Sequence, residues 1–253
     1  NDTGTYTRAG GTLFKNGVSH DDIDQGAVGT CYVLSALAGT ANDKPSVINN
    51  MFKRNGDGTW TVKFTTNGDT DYVTVDRMMA TSATGRYLYA NDGGDNGSQN
   101  VVAANNELWV ALAEKAYAQL NESNEIGQDG TNSYGGMSFG SPTSATRHVT
   151  GLGASWGRAS LSGAGSSVSS AELQALVNSN KVVTLGGFDA SADGAYVGAT
   201  NVQSGVGSHI YSITGYNPAN GRYSIRNPWD TQHLSLTHAQ LRELNAFISW
   251  SNS

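Results

Sequence analysis

The chain has 253 residues, a formal net charge of −6 and only 14% charged side chains. That length fills one large core or two small ones packed together. The acidic balance, with no Lys/Arg stripe, argues against nucleic acid or an anionic membrane as main partner, and no run approaches the roughly 18 apolar residues of a membrane span. The single cysteine, Cys31, excludes an intramolecular disulfide framework and any multi-cysteine zinc site. The start, Asn1-Asp2-Thr3, lacks a Met and a signal pattern and reads as a trimmed or excised chain.

Residues 1 to 24 are polar and Gly-rich with no clear period. Cys31 to Ala41 is apolar almost all round and predicts a buried helix, with Thr30 as N-cap and Pro45 closing the exit. A short helix over Ser46 to Phe52 follows. Trp60–Phe64 and Tyr72–Val75 alternate about Asn67-Gly68, which predicts a hairpin. Residues 91 to 100 read as a flexible loop. Leu108, Leu112, Ala116 and Leu120 repeat at i+4 and predict an amphipathic core helix over Glu107 to Leu120. Beyond Thr150-Gly151 helical signal fades, except near Ser169 to Asn178 with Ser170 as cap. Strands are predicted over Val182–Leu185, His209–Thr214 and Arg222–Arg226. The chain thus divides into a helix-rich part, 1–150, and a sheet-rich part, 151–253.

In Asp24-Gln25-Gly26-Ala27-Val28-Gly29-Thr30-Cys31, a Gly-punctuated loop delivers the thiol to the first turn of a helix. The exposed N–H groups and dipole there favour a negative charge, which would lower the thiol pKa. Gln25, six residues earlier, can fold back so that its amide and the Cys31 N–H form an oxyanion hole. Alternatively the glycines only make a turn and Gln25 is a surface polar group.

A thiolate needs a base. Of His20, His148, His209, His233 and His238, only His209 opens an alternating strand that returns through a turn to Asn227. Folding this hairpin about Pro218 sets residues whose numbers sum to 436 opposite each other, so His209 faces Asn227, unless a bulge shifts the register by one. An Asn carbonyl beside a His fixes its tautomer and tilt. Pro228 ends the strand, and Trp229 can shield the His–Asn bond from water.

These segments resemble a known family. Asp22 to Tyr32, Leu108 to Leu120, Thr150-Gly151, Ser208 to Gly215 and Ile225 to Trp229 are similar, in order, to the protease core of calpains, papain-like cysteine endopeptidases. The resemblance implies an α+β fold of two papain-like subdomains with the site in the cleft between them. It implies Cys31 as nucleophile, His209 as general base then acid, Asn227 as orienter and Gln25 in the oxyanion hole. It implies substrate contacts at Gly151, Ser208 and Trp229, and protein or peptide substrates.

Several positions depart from the family. Thr30 and Tyr32 stand where Asp and Trp are usual, and that Asp helps hold calcium in animal members, so the expectation is a calcium-independent enzyme with no cofactor and no metal site. Ser208 stands where Gly is usual and narrows the cleft; Asp230 also replaces Gly. The Gly, Asn and Ser bias has a bacterial look, secreted or cell-envelope, and a monomeric core is expected. Gly136-Met137-Ser138-Phe139-Gly140 fits G-x-S-x-G but sits in a loop, so it reads as chance. His233 and His238 are poorly spaced for a metal, and Asp189 to Asp193 reads as a solvated turn. The rival readings are a transferase or deamidase acting on glutamine side chains, and a pseudoprotease that binds a partner.

Overall fold

The computed structural model describes residues 4–93, 99–159, 167–187, 196–197, 200–201 and 209–253. Strand β1 (Thr5–Arg8) is followed by helices α1 (Cys31–Asp43) and α2 (Pro45–Asn49) and strands β2 (Phe52–Arg54), β3 (Trp60–Thr66), β4 (Asp69–Val75) and β5 (Met78–Thr81). Helices α3 (Trp109–Leu120) and α4 (Pro142–Thr150) come next, then β6 (Ala154–Arg158), α5 (Ser170–Asn178), β7 (Val183–Gly186), β8 (Tyr196–Val197) and β9 (Thr200–Asn201). The chain ends with β10 (Ile210–Asn217), β11 (Arg222–Arg226), β12 (Leu234–Thr237), α6 (His238–Glu243) and β13 (Phe247–Ser251). The molecule is a mixed α and β structure.

Buried apolar side chains form two clusters. One gathers residues from Ala9 to Val149 together with Ile210; the other gathers residues from Ala159 to Ile248. The second rests on a six-stranded sheet of order β12-β11-β10-β7-β13-β6. Helix α1 joins the two. Cys31, Ser35 and Gly39 recur every four residues, so they share one face, and their small size lets β10 and β7 come close. Ser35 Oγ donates to the Ile210 carbonyl at 2.8 Å, and Ser212 Oγ donates to the Ser35 carbonyl at 2.7 Å. A Cβ on Gly39 would lie 2.9 Å from Val182.

The β3–β4 hairpin turns at Asn67 (φ 51°) and Gly68 (φ 93°), the two left-handed residues a two-residue turn requires. Other expectations need correcting. Pro45 opens α2 rather than sealing α1, because its missing N–H costs nothing at a first helical position. Phe52 leaves that helix and begins β2. Helix α3 is not amphipathic: nearly every side chain is buried, Glu114 included, because the first core surrounds it. Ser169, not Ser170, caps α5, through a capping box with Glu172. Asn91 bridges to Asp24 and Asn100 to Arg86; the expected flexible loop between them falls on residues 94–98, which lie outside the described residues. The 1–24 segment contains β1, which pairs with β5.

The β10–β11 register also differs. Ser212 faces Arg226 and Ile213 faces Ile225, sums of 438, and a bulge before Gly215 makes the sum 439 nearer the turn. The turn is four residues long, Pro218 to Gly221. Asn217 Oδ1 accepts the Ala219 N–H, and Gly221 takes φ 68°, so the chain reverses past Pro218.

Candidate active site

The loop before Cys31 is tied down at each step. Asp24 and Asn91 exchange backbone hydrogen bonds, and the Ala27 N–H donates to the Leu88 carbonyl at 2.8 Å. Gly26 is required here: a Cβ would fall 2.3 Å from the Leu88 oxygen. The Gln25 N–H donates to the Pro228 carbonyl at 2.7 Å, which joins this loop to the segment carrying Asn227 and Trp229. The Gln25 side chain donates from Nε2 to the Val28 carbonyl at 2.6 Å. An amide nitrogen has two hydrogens, so one remains for a second acceptor.

Cys31 is the first residue of α1 and is buried. Burial pushes its thiol pKa up, while hydrogen bonding from the backbone of Ile210, Tyr32 and Cys31 itself pulls it back. This corrects the expectation of a lowered pKa: the helix N-terminus is present, but loss of water outweighs it. The Ile210 contact puts the sulfur within hydrogen-bond reach of the residue next to His209. Thr30 does not cap α1 with its side chain. Its hydroxyl donates instead to Glu114 Oε1 at 2.6 Å, and Glu114 Oε2 accepts the Ala90 N–H at 2.7 Å.

His209 Nε2 donates to Asn227 Oδ1 at 2.8 Å, although the register is two residues from the expected one. The side chains bridge the offset. The same Oδ1 accepts the Trp229 N–H at 3.1 Å. The Trp229 ring lies 4.3 Å from the imidazole, centroid to centroid, and Tyr211 meets it edge-on at 4.7 Å. With Nε2 engaged, Nδ1 is the ring nitrogen left for chemistry. Burial lowers the His209 pKa, and the Asn227 bond partly opposes this.

Two supporting contacts, of His233 and Arg226, are not legible in the sequence. The Asn227 N–H donates to His233 Nδ1 at 3.1 Å. Arg226 is buried and donates to the carbonyls of Asp21 and Ile23 and to the carboxylates of Asp21 and Asp230. The only local signal for Arg226 is its place at the end of β11 next to Ile225, on a strand that also opens with Arg222.

The family model for calpain family cysteine proteases matches residues 6–238. The chain belongs to the calpain family. It is 28% identical over 233 residues to the calpain-type cysteine protease DEK1 of Zea mays, covering 86% of this chain and 9% of that protein. It is 31% identical over 224 residues to the calpain-2 catalytic subunit of Gallus gallus, covering 84% and 28%. Against calpain clp-4 of Caenorhabditis elegans it is 29% identical over 233 residues, covering 87% and 29%. The chain thus spans less than a third of the length of these relatives.

Within this calpain-family chain, Gly151 ends α4 in the left-handed conformation, φ 71°. It lines a cleft of about 410 Å³ with Thr65, Glu125, Arg147 and His148. Ser208 and the Asp189 to Asp193 turn lie outside the described residues. His148 Nδ1 pairs with the Tyr117 hydroxyl at 2.8 Å, and His238 Nε2 with the Val168 carbonyl at 2.9 Å. Among the described residues no helix is long and apolar enough to cross a membrane.

Calcium can be tested on the donor set. Thr30 is fully buried against Glu114, so its identity does not report on a metal. Near Asp22, the carboxyl oxygens Asp92 Oδ1 and Glu107 Oε1 are buried without hydrogen-bond partners. That is oxygen-donor chemistry of the type a hard cation takes. Yet among the described residues no group of three or more His, Cys, Asp or Glu side chains is placed to hold an ion.

The same burial predicts a pH-dependent stability. Desolvation pushes Asp24, Asp43 and Asp92 up to about 6, and Glu107 and Glu114 up to about 7. A folded pKa above the unfolded one means stability present at low pH and lost as pH rises through the folded value. Buried His148, lowered to about 4, acts oppositely and removes stability on acidification below about 6.5. Five raised carboxyls outnumber the one lowered imidazole, so the thermal midpoint should be highest near pH 4 and fall as pH rises from about 4 to about 7. Scanning fluorimetry of Glu107→Gln and Glu114→Gln should show a shallower fall between about pH 4.5 and 7; an unchanged fall would refute this account.

Proposed function

We propose that this chain is a cysteine endopeptidase in which Cys31, His209 and Asn227 act as a triad. The contact between the Ile210 backbone and the Cys31 sulfur, beside a His209 oriented by Asn227, is the observation that supports it. In this reading the two apolar clusters are papain-like subdomains, 1–150 and 151–253, with the cleft between them. Cys31 comes from the first, His209 and Asn227 from the second.

The steps follow from the hydrogen-bond pattern. His209 Nδ1 takes the Cys31 proton as sulfur attacks the peptide carbonyl. The carbon–oxygen double bond opens, and the oxyanion is held by the Cys31 N–H and the second hydrogen of the Gln25 amide. His209 then returns the proton to the leaving amine, and the carbon–nitrogen bond breaks to give a thioester. Water, deprotonated by the same imidazole, attacks the thioester and releases the acid and the thiol. Asn227 holds the ring through Nε2, and Trp229 covers that bond. Protein or peptide substrates are implied by this chemistry.

Casein hydrolysis by the wild type and by Cys31→Ala tests the reading. The variant should fold, with an unchanged thermal midpoint within a few degrees, and lose all measurable hydrolysis. Ammonia release without peptide cleavage would instead favour action on glutamine side chains. Slow alkylation of Cys31 together with no turnover would point to a binding module.

A further inference from the structure

Strands β11 and β12 pair as far as Ile225 and Leu234, so residues 226 to 233 turn the chain between them. This turn carries both Asn227 and Trp229. It also holds two non-glycine residues in the left-handed region, Asp230 at φ 55° and Gln232 at φ 54°. Such conformations are uncommon for residues with a Cβ and persist where the surroundings impose them. Three contacts close the turn. The Asp230 N–H donates to the Asn227 carbonyl at 3.2 Å, and Arg226 Nη2 donates to Asp230 Oδ1 at 2.8 Å. Across the mouth of the turn, the Asn227 N–H donates to His233 Nδ1 at 3.1 Å. With its side-chain oxygen the same Asn227 accepts from His209 Nε2 and from the Trp229 N–H. The residue that orients the imidazole of His209 is thus itself held, by its backbone, to a second imidazole.

That second bond depends on a proton. Nδ1 accepts only while it keeps a lone pair. The other ring nitrogen, Nε2, faces Arg226 Nη1 at 3.3 Å, and a guanidinium can only donate. Two N–H donors therefore face the two ring nitrogens of His233. A neutral imidazole has one lone pair and satisfies one of them. An imidazolium has none, satisfies neither and sets its charge against Arg226. Partial loss of water and the charges of Arg226 and His20 lower the His233 pKa, while Asp230 and Asp21 pull it up; the balance lies below the ordinary 6.5. His233 itself lies at the surface, so protons reach it, whereas Asn227 is 1% exposed. Protonation of the ring leaves the N–H of a buried residue without its partner.

We propose that His233 is a positioning residue that makes the site acid-sensitive: unprotonated, it clasps the Asn227 backbone and closes the turn that sets Trp229 over the His209–Asn227 pair, and protonated, it lets that turn go. The inference rests on the proposed peptidase reading and adds a regulation of the same site. His233 acts through Asn227 and reaches neither sulfur nor substrate in this role.

His233→Ala and His233→Asn test the proposal. An asparagine sets its carboxamide oxygen close to the place of Nδ1 and accepts at any pH, whereas alanine accepts at none. At about pH 7.5, His233→Ala should lower kcat about tenfold with KM within about twofold, because the orienter of His209 shifts. His233→Asn should keep most of the wild-type kcat. At the acid end the logarithm of the wild-type kcat should fall with a slope approaching about two, one proton entering His209 and one His233; in His233→Asn it should fall with a slope of about one. A purely structural role would lower the thermal midpoint and leave that slope alone. NMR titration of Cys31→Ala reads the clasp without turnover. The Asn227 amide proton should follow the His233 midpoint, below 6.5, and lose that step when His233→Asn is added. A wild-type slope of about one down to pH 4, or an Asn227 amide indifferent to His233, would overturn the proposal. Hydrolysis that survives Cys31→Ala would overturn the peptidase reading instead and leave the amide titration standing, so the two failures are distinguishable.

Discussion

His209→Ala should lower kcat for peptide hydrolysis by about 10³-fold while leaving KM and the fold close to those of the wild type. The magnitude follows from the resting state of the pair. Burial raises the thiol and lowers the imidazole pKa, so both groups are neutral near pH 7 and the nucleophile has to be deprotonated in the attack itself. In the proposed triad, removing the imidazole takes away the base for Cys31, whereas the proposed oxyanion donors remain. Asn227→Ala should cost less, because the ring stays wedged between Trp229 and Tyr211. The imidazole accepts a proton only when unprotonated, so activity rises as pH rises through its pKa. That acid limb should lie below the ordinary histidine value of 6.5. Steady-state rates from pH 4 to 8, with iodoacetamide alkylation of Cys31 as a second readout, check both statements. A His209→Ala enzyme keeping a tenth of wild-type kcat would remove His209 from the chemistry.

The local parts of this site were legible because each rests on a near-neighbour rule. Glycines at 26 and 29 mark a tight loop, an apolar run marks α1, and Asn67-Gly68 marks a two-residue turn. The His209–Asn227 pairing was also legible, but for an inexact reason. A Pro-centred turn was assumed, and the real reversal is set by the Asn217 side chain and Gly221. What stayed hidden depends on partners far along the chain. Thr5–Arg8 has little apolar alternation and becomes a strand through Met78–Thr81. Thr30 looks like a cap, yet its hydroxyl turns to Glu114, 84 residues away. Helix α4 carried signals that could have been read, Ser141-Pro142 at its start and Gly151 at its end. Its composition, Thr, Ser and Arg with few apolar residues, masked them. The rise of the Cys31 pKa could not be read from the sequence, since burial is a property of the assembled site.

Arg226→Met should destabilise the protein by about 3 to 5 kcal/mol, the range for breaking a buried charge network by removing one partner. Arg226 is only 4% exposed, and its guanidinium satisfies two backbone carbonyls, of Asp21 and Ile23, and two carboxylates, of Asp21 and Asp230. Methionine fills much of the same volume but donates nothing, so the Ile23 carbonyl is left buried without a partner and Asp230 loses its counter-charge. Asp21→Ala should cost under about 1 kcal/mol, because that carboxylate is mostly in water. Arg226→Lys should recover part of the loss: an ammonium keeps the charge but cannot reach four acceptors from a planar fork. The effect should extend to catalysis even where the variant is folded. Arg226 immediately precedes Asn227, and it holds residues 21 to 23 beside the strand end from which Pro228 accepts the Gln25 N–H. Loosening that joint lets the loop bearing Gln25 and Cys31 drift from the segment bearing Asn227, and a displacement of about 1 Å at reacting groups can cost about 10²-fold in rate. Urea unfolding gives the stability change, and kcat well below the unfolding midpoint gives the catalytic one. If Arg226→Met unfolds within 1 kcal/mol of the wild type and keeps its kcat, the joint between residues 21–25 and 226–230 does not hold the site together.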